Sequence, residues 1–245
     1  MTFDAHPRSS LIVALDFDSL STALKFAEKI ADLVGMFKVG SQLFTAAGPE
    51  AVRQIAKLNA DIFLDLKYHD IPNTVAGAVL GAAALPNVQL VNVHALGGTV
   101  MMQAAAQAVS AGVPMGADRT RLLAVTLLTS MDSKTVREVG IGGPPKTRVV
   151  KLAKLSQKAG VDGVVASVQE AKSIRKACGR DFLIVTPGVR PRSADLKTDD
   201  QARTATPREA IKAGADFIVV GRPILAAADP RGAAQEIVDE IASAK

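Results

Sequence analysis

Short apolar runs that favour extended backbone alternate with longer helical runs along the chain, and the alternation recurs eight times. The predicted strands are Leu11–Asp16, Met36–Gly40, Asp61–Leu64, Leu90–His94, Leu122–Leu127, Gly163–Ala166, Phe182–Thr186 and Phe217–Gly221. Strands separated by helices pair in parallel, because each helix returns the chain to the end of the sheet at which the previous strand began. Eight repeats therefore predict an α/β fold, a closed (β/α)8 TIM-type barrel in a single domain.

The helical runs show the 3.6-residue apolar period of surface helices. They are predicted over Ser21–Leu33, Pro49–Leu58, Thr74–Ala84, Thr99–Ser110, Thr147–Ala159 and Glu170–Ala177, and from Arg231 onward. A length of 245 residues suits one barrel domain, with residues 1–9 as a short polar tail. An open doubly wound sheet is the alternative, but no glycine-rich dinucleotide or Walker motif supports it.

Composition excludes several other classes of protein. The net charge of +5 comes from dispersed residues, and only 4% of the chain is aromatic, so we expect affinity for small anions and no nucleic-acid partner. No apolar run approaches the ~20 residues of a membrane span, and the N-terminal residues lack a signal-peptide core, so a cytoplasmic location is expected. The single cysteine, Cys178, excludes an internal disulfide and is interpreted as packing.

Charged residues cluster where the third predicted strand ends. Asp65 and Lys67 stand two residues apart, so they point to the same face, and Asp70 follows within about 10 Å of chain. Pro72 suits the first turn of the helix that comes next. A solvated turn with one surface salt bridge is the alternative, but these charges interrupt an apolar strand, where ionisable groups are costly unless paired or used.

Other predicted strand ends also carry charge. Asp16 ends the first strand, Lys38 lies in the second, and His94 ends the fourth. Catalytic groups of barrels lie at these carboxyl ends, so Asp16 and Lys38 are expected to face the same mouth as Asp65 and Lys67. A buried charge network that only stabilises the barrel is the alternative, although buried ion pairs stabilise poorly. His94 is interpreted as structural.

The connections after the last two strands predict a phosphate site. Gly221 and Arg222 follow strand eight, where backbone N–H groups and a guanidinium can face one anion. Residues 188–207 follow strand seven and form a long polar segment, which predicts a lid, with a disordered surface excursion as the alternative. Its arginines and the one just beyond it are Arg190, Arg192, Arg203 and Arg208.

The pattern Asp65-x-Lys67-x-x-Asp70-Ile71-Pro72-x-Thr74 resembles the signature of the orotidine 5'-monophosphate decarboxylases, and the similarity extends from about Leu11 to the last helix. The resemblance implies cofactor-free decarboxylation of orotidine 5'-monophosphate to uridine 5'-monophosphate, the last step of de novo UMP biosynthesis. It implies Lys67 as the proton donor to C6, together with Asp65, Asp70 and Lys38 as catalytic residues. It assigns substrate contacts to Asp16, Lys38, Ile71, Thr74, Thr129, Arg190, Gln201, Gly221 and Arg222.

The same resemblance implies a homodimer with shared active sites, in which Asp70 and Thr74 reach the ribose in the neighbouring subunit. A metal-dependent sugar-phosphate lyase or synthase of the same superfamily is an alternative. Enzymes of that group resemble this chain in the pattern Asp-x-Lys-x-x-Asp, but the resemblance implies a carboxylate at the position of Lys38. The ammonium of Lys38 would repel a magnesium ion there. A non-catalytic nucleotide-binding barrel and a basic RNA-binding protein are further alternatives, disfavoured by intact Lys67 and by the dispersed charge respectively.

Overall fold

Eight parallel strands close into a barrel in the computed structural model, which describes residues 6–111, 119–191 and 205–244. The strands are β1 Leu11–Ala14, β2 Met36–Gly40, β3 Asp61–Tyr68, β4 Val88–His94, β5 Arg121–Val125, β6 Gly163–Val165, β7 Leu183–Pro187 and β8 Phe217–Val220. Each strand pairs with the next in chain order, and β1 pairs with β8 in parallel. The closed barrel is confirmed, and the open doubly wound sheet is wrong because the sheet has no edge.

Helices connect the strands and surround the barrel. They are α1 Leu20–Ile30, α2 Ser41–Ala47, α3 Pro49–Ala56, α4 Pro72–Ala83, α5 Gly98–Ala111, α6 Ser133–Glu138, α7 Pro145–Lys158, α8 Val168–Cys178, α9 Pro207–Lys212, α10 Arg222–Leu225 and α11 Pro230–Ala242. The long predicted helices are all present, within a few residues of their expected ends. Four helices of four to seven residues, α2, α6, α9 and α10, were not predicted. Among the described residues, no helix has both the length and the apolarity needed to cross a membrane.

The chain before β1 lies against the amino-terminal end of the barrel. Residues 1–5 of the expected tail are outside the described residues, while Pro7–Ser10 forms a 3-10 turn. The backbone of Ser9 passes so close to Gly35 that a Cβ on this glycine would lie 2.6 Å from the Ser9 carbonyl oxygen. Glycine is therefore required where the chain passes from α1 into β2.

Strand alternation separates two apolar cores. On β1, Leu11 and Val13 pack outward against the helices, whereas Ile12 and Ala14 point into the barrel. The barrel interior is filled by Ile12, Ala14, Met36, Phe63, Leu90, Leu123, Val125, Val165, Val185, Phe217 and Val219. Each fully buried large apolar side chain contributes about 1.5–3 kcal/mol to folding. These side chains fill the barrel beneath its carboxyl end. Charged residues that follow them on the inward faces of the strands therefore meet at the carboxyl end.

Candidate active site

A cavity of about 570 Å³ opens at the carboxyl end of the barrel. This volume is in the usual range for a small-molecule site. Of the residues predicted from sequence, the cavity lining includes Asp16, Lys38, Asp65, Lys67, Thr129, Arg190, Gly221 and Arg222. The barrel therefore brings together residues that are as far as 206 positions apart in the chain.

Four charged side chains, one just after β1, one in β2 and two in β3, form a continuous row along one wall. The ammonium of Lys38 lies 3.2 Å from a carboxylate oxygen of Asp16 and 3.4 Å from Oδ2 of Asp65. The ammonium of Lys67 lies 2.8 Å from Oδ1 of the same Asp65. Asp65 is thus shared between two cations, and charges alternate in sign along the wall.

The row is largely shielded from solvent at its centre and open at its ends. The side chains of Lys38 and Asp65 are 12% and 10% exposed, against 35% for Lys67 and 48% for Asp16. Burial alone would raise the pKa of Asp65, but the ammonium groups of Lys38 and Lys67 outweigh it, so the pKa falls below the usual carboxyl range. Burial likewise opposes the charge on Lys38, and the carboxylates of Asp65 and Asp16 more than offset it, so the pKa of Lys38 is raised.

A local irregularity in β3 presents Asp65 and Lys67 to the cavity. Leu64 pairs with Val91 of β4, but the next residue of β3 in register is Tyr68, which pairs with Val93. The segment between them bulges out of the ladder, and Lys67 adopts a left-handed backbone with φ of 52°. Bulges of this kind commonly redirect side chains next to active sites.

Asn92 of β4 fills the gap that this bulge leaves, and sequence reasoning missed it. Its side chain is fully buried. The amide nitrogen donates to Oδ1 of Asp65 at 2.6 Å, and the amide oxygen accepts from the backbone N–H of Lys67 at 2.8 Å. The available signal was an amide between two apolar residues, Val91 and Val93, on the inward face that it shares with Leu90.

Gly40, at the end of β2, leaves room for the row. This residue is in register with Asp65 of β3. A Cβ at Gly40 would lie 2.9 Å from the ammonium nitrogen of Lys38 and 3.6 Å from Oδ1 of Asp16. A larger side chain at this position would therefore push the Lys38 ammonium away from the carboxylates.

Two cationic side chains from the connections after β7 and β8 also line the cavity. These are Arg190, which follows β7, and Arg222, which follows β8. The backbone N–H of Arg190 donates to the carbonyl of Ala205 at 2.9 Å, so the two ends of the expected lid are held together. Gln201, Arg192 and Arg203 lie outside the described residues. Arg208, which was grouped with the arginines of the loop, lies in α9.

The rest of the cavity lining is uncharged. It combines apolar side chains of the barrel interior, Phe63, Val125, Val165 and Val219, with the half-polar segment Leu127–Ser130 after β5. Thr129 in this segment is 9% exposed. Such a lining suits a flat, uncharged ring.

Three predicted site residues lie outside this cavity. Asp70, Ile71 and Thr74 are exposed at the same end of the barrel and are absent from the cavity lining. A side-chain oxygen of Asp70 accepts from the backbone N–H of Ile71 at 2.6 Å. The cavity is therefore formed without these three residues.

His94 lies near the site without lining it. Its ring centroid is 5.4 Å from that of His69, and burial, with the neighbouring charges of His69 and Lys67, lowers its pKa. The lowered pKa favours the neutral imidazole beside the charged row.

The geometry defines what the site can bind and do. A ligand with a phosphate or a second acidic group would meet Arg190 and Arg222 at one end, while its other end would meet the ammonium of Lys67. Because Asp65 fixes that ammonium, the amine is both a stationary positive charge and a proton donor.

Comparisons with known proteins agree with this reading. A family model described as orotidine 5'-phosphate decarboxylase / HUMPS family matches residues 9–237. A Trichlorobacter lovleyi protein named orotidine 5'-phosphate decarboxylase is 56% identical over 234 residues, covering 96% of this chain and 95% of that protein. A Geobacter sulfurreducens protein of the same name is 55% identical, covering 96% of each chain. The crystal structure of orotidine 5'-phosphate decarboxylase from Lactobacillus acidophilus is 40% identical, with a TM-score of 0.83 over 94% of this chain and 98% of that one.

Proposed function

The chain belongs to the orotidine 5'-phosphate decarboxylase / HUMPS family, and from that membership we infer that it decarboxylates orotidine 5'-monophosphate to uridine 5'-monophosphate in UMP biosynthesis. We further propose that Lys67 is the proton donor. The observation that carries this proposal is the row of Asp16, Lys38, Asp65 and Lys67 in one cavity that also holds two arginines.

Lys67 supplies the positive charge and the proton that the decarboxylation needs. Loss of CO2 from C6 of the orotate ring leaves an in-plane carbanion with no conjugated sink, so its charge must be stabilised by the environment. The Lys67 ammonium is held 2.8 Å from Asp65 and is open to the cavity, so it can face C6. There it stabilises the developing negative charge and then protonates the carbon, with no cofactor in the proposed sequence.

Asp65 serves the reaction in two ways. Its lowered pKa keeps it anionic, so it holds the ammonium groups of Lys38 and Lys67 in place. A substrate carboxylate placed 4 Å away would also be repelled by roughly 4 kcal/mol at an effective dielectric constant of 20. This repulsion is relieved as CO2 leaves, because the departing group loses its charge.

The phosphate end supports the chemistry from a distance. Arg190 and Arg222 face the anion from the connections after β7 and β8. Binding free energy from this contact with the phosphate then helps to hold the charged row in place around the ring. Thr129 supplies a polar contact for the pyrimidine, and Asp16 and Lys38 contact the ribose hydroxyls.

We propose a homodimer with shared active sites. Asp70 and Thr74 are exposed at the carboxyl end, where they can reach the ribose in a neighbouring subunit. Large apolar side chains are exposed nearby: Ile71 follows β3, Val100 follows β4, and Leu128 follows β5, with exposures of 67%, 67% and 40%. An apolar surface of this kind around charged residues is typical of a protein interface. The cytoplasmic location of this dimer stays a prediction.

The metal-dependent sugar-phosphate reaction fits the same residues less well. Such chemistry needs carboxylates that converge on a cation, and the carboxylates of Asp16 and Asp65 instead converge on the ammonium of Lys38. A divalent ion would have to displace that ammonium or bind beside it, against a unit positive charge.

The test is direct. Purified protein is mixed with orotidine 5'-monophosphate, with and without EDTA, and the ultraviolet absorbance of the orotate chromophore is followed while the product is identified as uridine 5'-monophosphate. We expect equal turnover in both samples. Turnover that EDTA abolishes and magnesium restores would instead assign the chain to the metal-dependent branch, and no turnover at all would remove the decarboxylase assignment.

A further inference from the structure

We propose that Asn92 is a positioning residue of this active site, because its amide fixes the carboxylate of Asp65 and the backbone of Lys67 in one arrangement. The inference rests on the proposed function, since decarboxylation is its readout. Asn92 is fully buried and does not line the cavity, so its effect must pass through the residues it holds.

The chemistry of its partners fixes how the amide is oriented. The Lys67 backbone N–H can only donate, and the ionised Asp65 carboxylate can only accept. The Asn92 oxygen therefore faces Lys67 at 2.8 Å, and its nitrogen faces Asp65 Oδ1 at 2.6 Å. One planar group satisfies a donor and an acceptor that belong to the same bulged segment.

The strand register explains why this clamp is needed. Between the paired positions Leu64 with Val91 and Tyr68 with Val93, three residues of β3 face one residue of β4, which is Asn92. The backbone N–H of Lys67 has turned away from the ladder through its left-handed φ of 52°. The Asn92 side chain takes over the role that a backbone carbonyl of β4 has elsewhere in the sheet.

Asp65 depends on the clamp as well. Its Oδ1 accepts from Asn92 and faces the Lys67 ammonium, while its Oδ2 faces Lys38. The Asn92 bond fixes the rotation of the carboxylate about its last torsion. Without it, the carboxylate can rotate and the Lys67 main chain can relax from its left-handed conformation. Both changes move the Lys67 ammonium relative to the reacting carbon.

Two variants of Asn92 distinguish the loss of its amide donor from the loss of both its hydrogen bonds. Asn92→Asp keeps an oxygen for the Lys67 N–H but places a second carboxylate against Asp65, so the pair holds a proton at higher pH. Asn92→Leu removes both hydrogen bonds at similar volume. Thr120→Val is the matched control, because Thr120 is 8% exposed just before β5 and donates to the Val88 carbonyl, at the amino-terminal end of the strands and away from the cavity.

We expect both Asn92 variants to lower kcat by about 10- to 100-fold, as a displacement of catalytic groups by about 1 Å does. The KM for orotidine 5'-monophosphate and the Kd for uridine 5'-monophosphate should stay within about threefold of wild type, because Asn92 does not touch the ligand. The acidic limb of the kcat/KM profile should move to higher pH in Asn92→Asp. Thr120→Val should lower thermal stability and leave kcat and the profile unchanged.

The outcomes separate this inference from the proposed function. If the wild-type protein is inactive, both the proposed function and the Asn92 inference are wrong. An active wild type with unchanged kcat and pH profile in a folded Asn92→Asp overturns the Asn92 inference alone, as does a loss that Thr120→Val reproduces. If Asn92→Leu does not fold, the near-isosteric Asn92→Asp decides by its pH profile.

Discussion

Lys38 is the residue on which the charge balance of the site depends, since it is the cation placed between Asp16 and Asp65. The wild-type Asp65 has a folded-state pKa below its unfolded value. Its ionisation therefore contributes stability that is present above about pH 4 and is lost as the pH falls through the lower, folded pKa. The raised pKa of Lys38 contributes stability that is full below the unfolded pKa and is lost as the pH rises through the folded one.

Replacing this cation should therefore destabilise the fold in a pH-dependent way. We expect Lys38→Met to lower the free energy of unfolding by about 3 kcal/mol near neutral pH, because breaking a buried pair leaves an uncompensated charge. The loss should shrink as the pH falls toward the ordinary carboxyl range, where Asp65 of the variant takes up a proton. Urea unfolding at several pH values measures both effects.

Lys25→Met is the control, since Lys25 is an exposed lysine of α1. It should change the free energy of unfolding little at any pH. A Lys38→Met loss that stays constant with pH would show that methylene packing, rather than the charge facing Asp65, accounts for it.

The chemistry of the residues predicted the charged row but not Asn92, which holds two members of the row in place. Asp16, Lys38, Asp65 and Lys67 were recognisable because charge at the end of an apolar strand is costly unless used. Asn92 carries no charge, and its importance arises from a register shift in β3 that periodicity cannot reveal. Its two bonds exist only because the bulge turns a backbone N–H and a carboxylate toward one amide.

At the scale of elements, apolar runs predicted all eight strands, whereas short helices were harder to find. Helices of four to seven residues have too few turns to show a 3.6-residue period. The helix α9 was recognisable in another way, because Thr206 and Glu209 form a capping box and Pro207 occupies the first turn. Interpreting this stretch as part of the long loop overlooked that signature.

The loops after β7 and β8 are proposed to bind the phosphate rather than to break the bond. Replacing Arg222 with alanine should lower kcat/KM for the nucleotide by about 10- to 100-fold, the loss expected for one hydrogen bond to a charged group. For the phosphate-free nucleoside orotidine, the same change should have almost no effect, because no anion faces the guanidinium. Steady-state kinetics with both substrates measure the difference.

Arg180→Ala removes an exposed arginine that precedes β7, at the opposite end of this strand from the loop, and should alter neither substrate's kinetics. Equal losses on nucleotide and nucleoside in Arg222→Ala would mean that Arg222 supports the fold or the chemistry itself, and the phosphate assignment would be wrong.

At the scale of the whole molecule, the proposed dimer places Asp70 in the partner's site and Lys67 in its own. Homodimers of Lys67→Ala and of Asp70→Ala should each be nearly inactive. When the two are mixed and subunits exchange, each heterodimer has one site with both changes and one with neither. Activity should return to as much as half that of wild type per heterodimer, and turnover assays after exchange measure it.

Subunit exchange must be shown independently, for instance with differently tagged chains. If Asp70 acts within its own subunit, each heterodimer site carries one change and mixing restores nothing. That result would refute the shared site and leave the barrel and the role of Lys67 intact.

Chemical replacement of the Lys67 amine tests whether this amine stabilises and protonates C6. The single native cysteine is first removed as Cys178→Ala, and Lys67→Cys is then aminoethylated, which rebuilds an ammonium at nearly the length of lysine. The 35% exposure of Lys67 gives the reagent access. We predict a loss in kcat/KM of about 10⁴-fold or more for Lys67→Cys, with a large part regained once mass spectrometry shows complete modification. Near wild-type turnover in unmodified Lys67→Cys, or a fully modified protein that binds uridine 5'-monophosphate yet stays inactive, would contradict the claim.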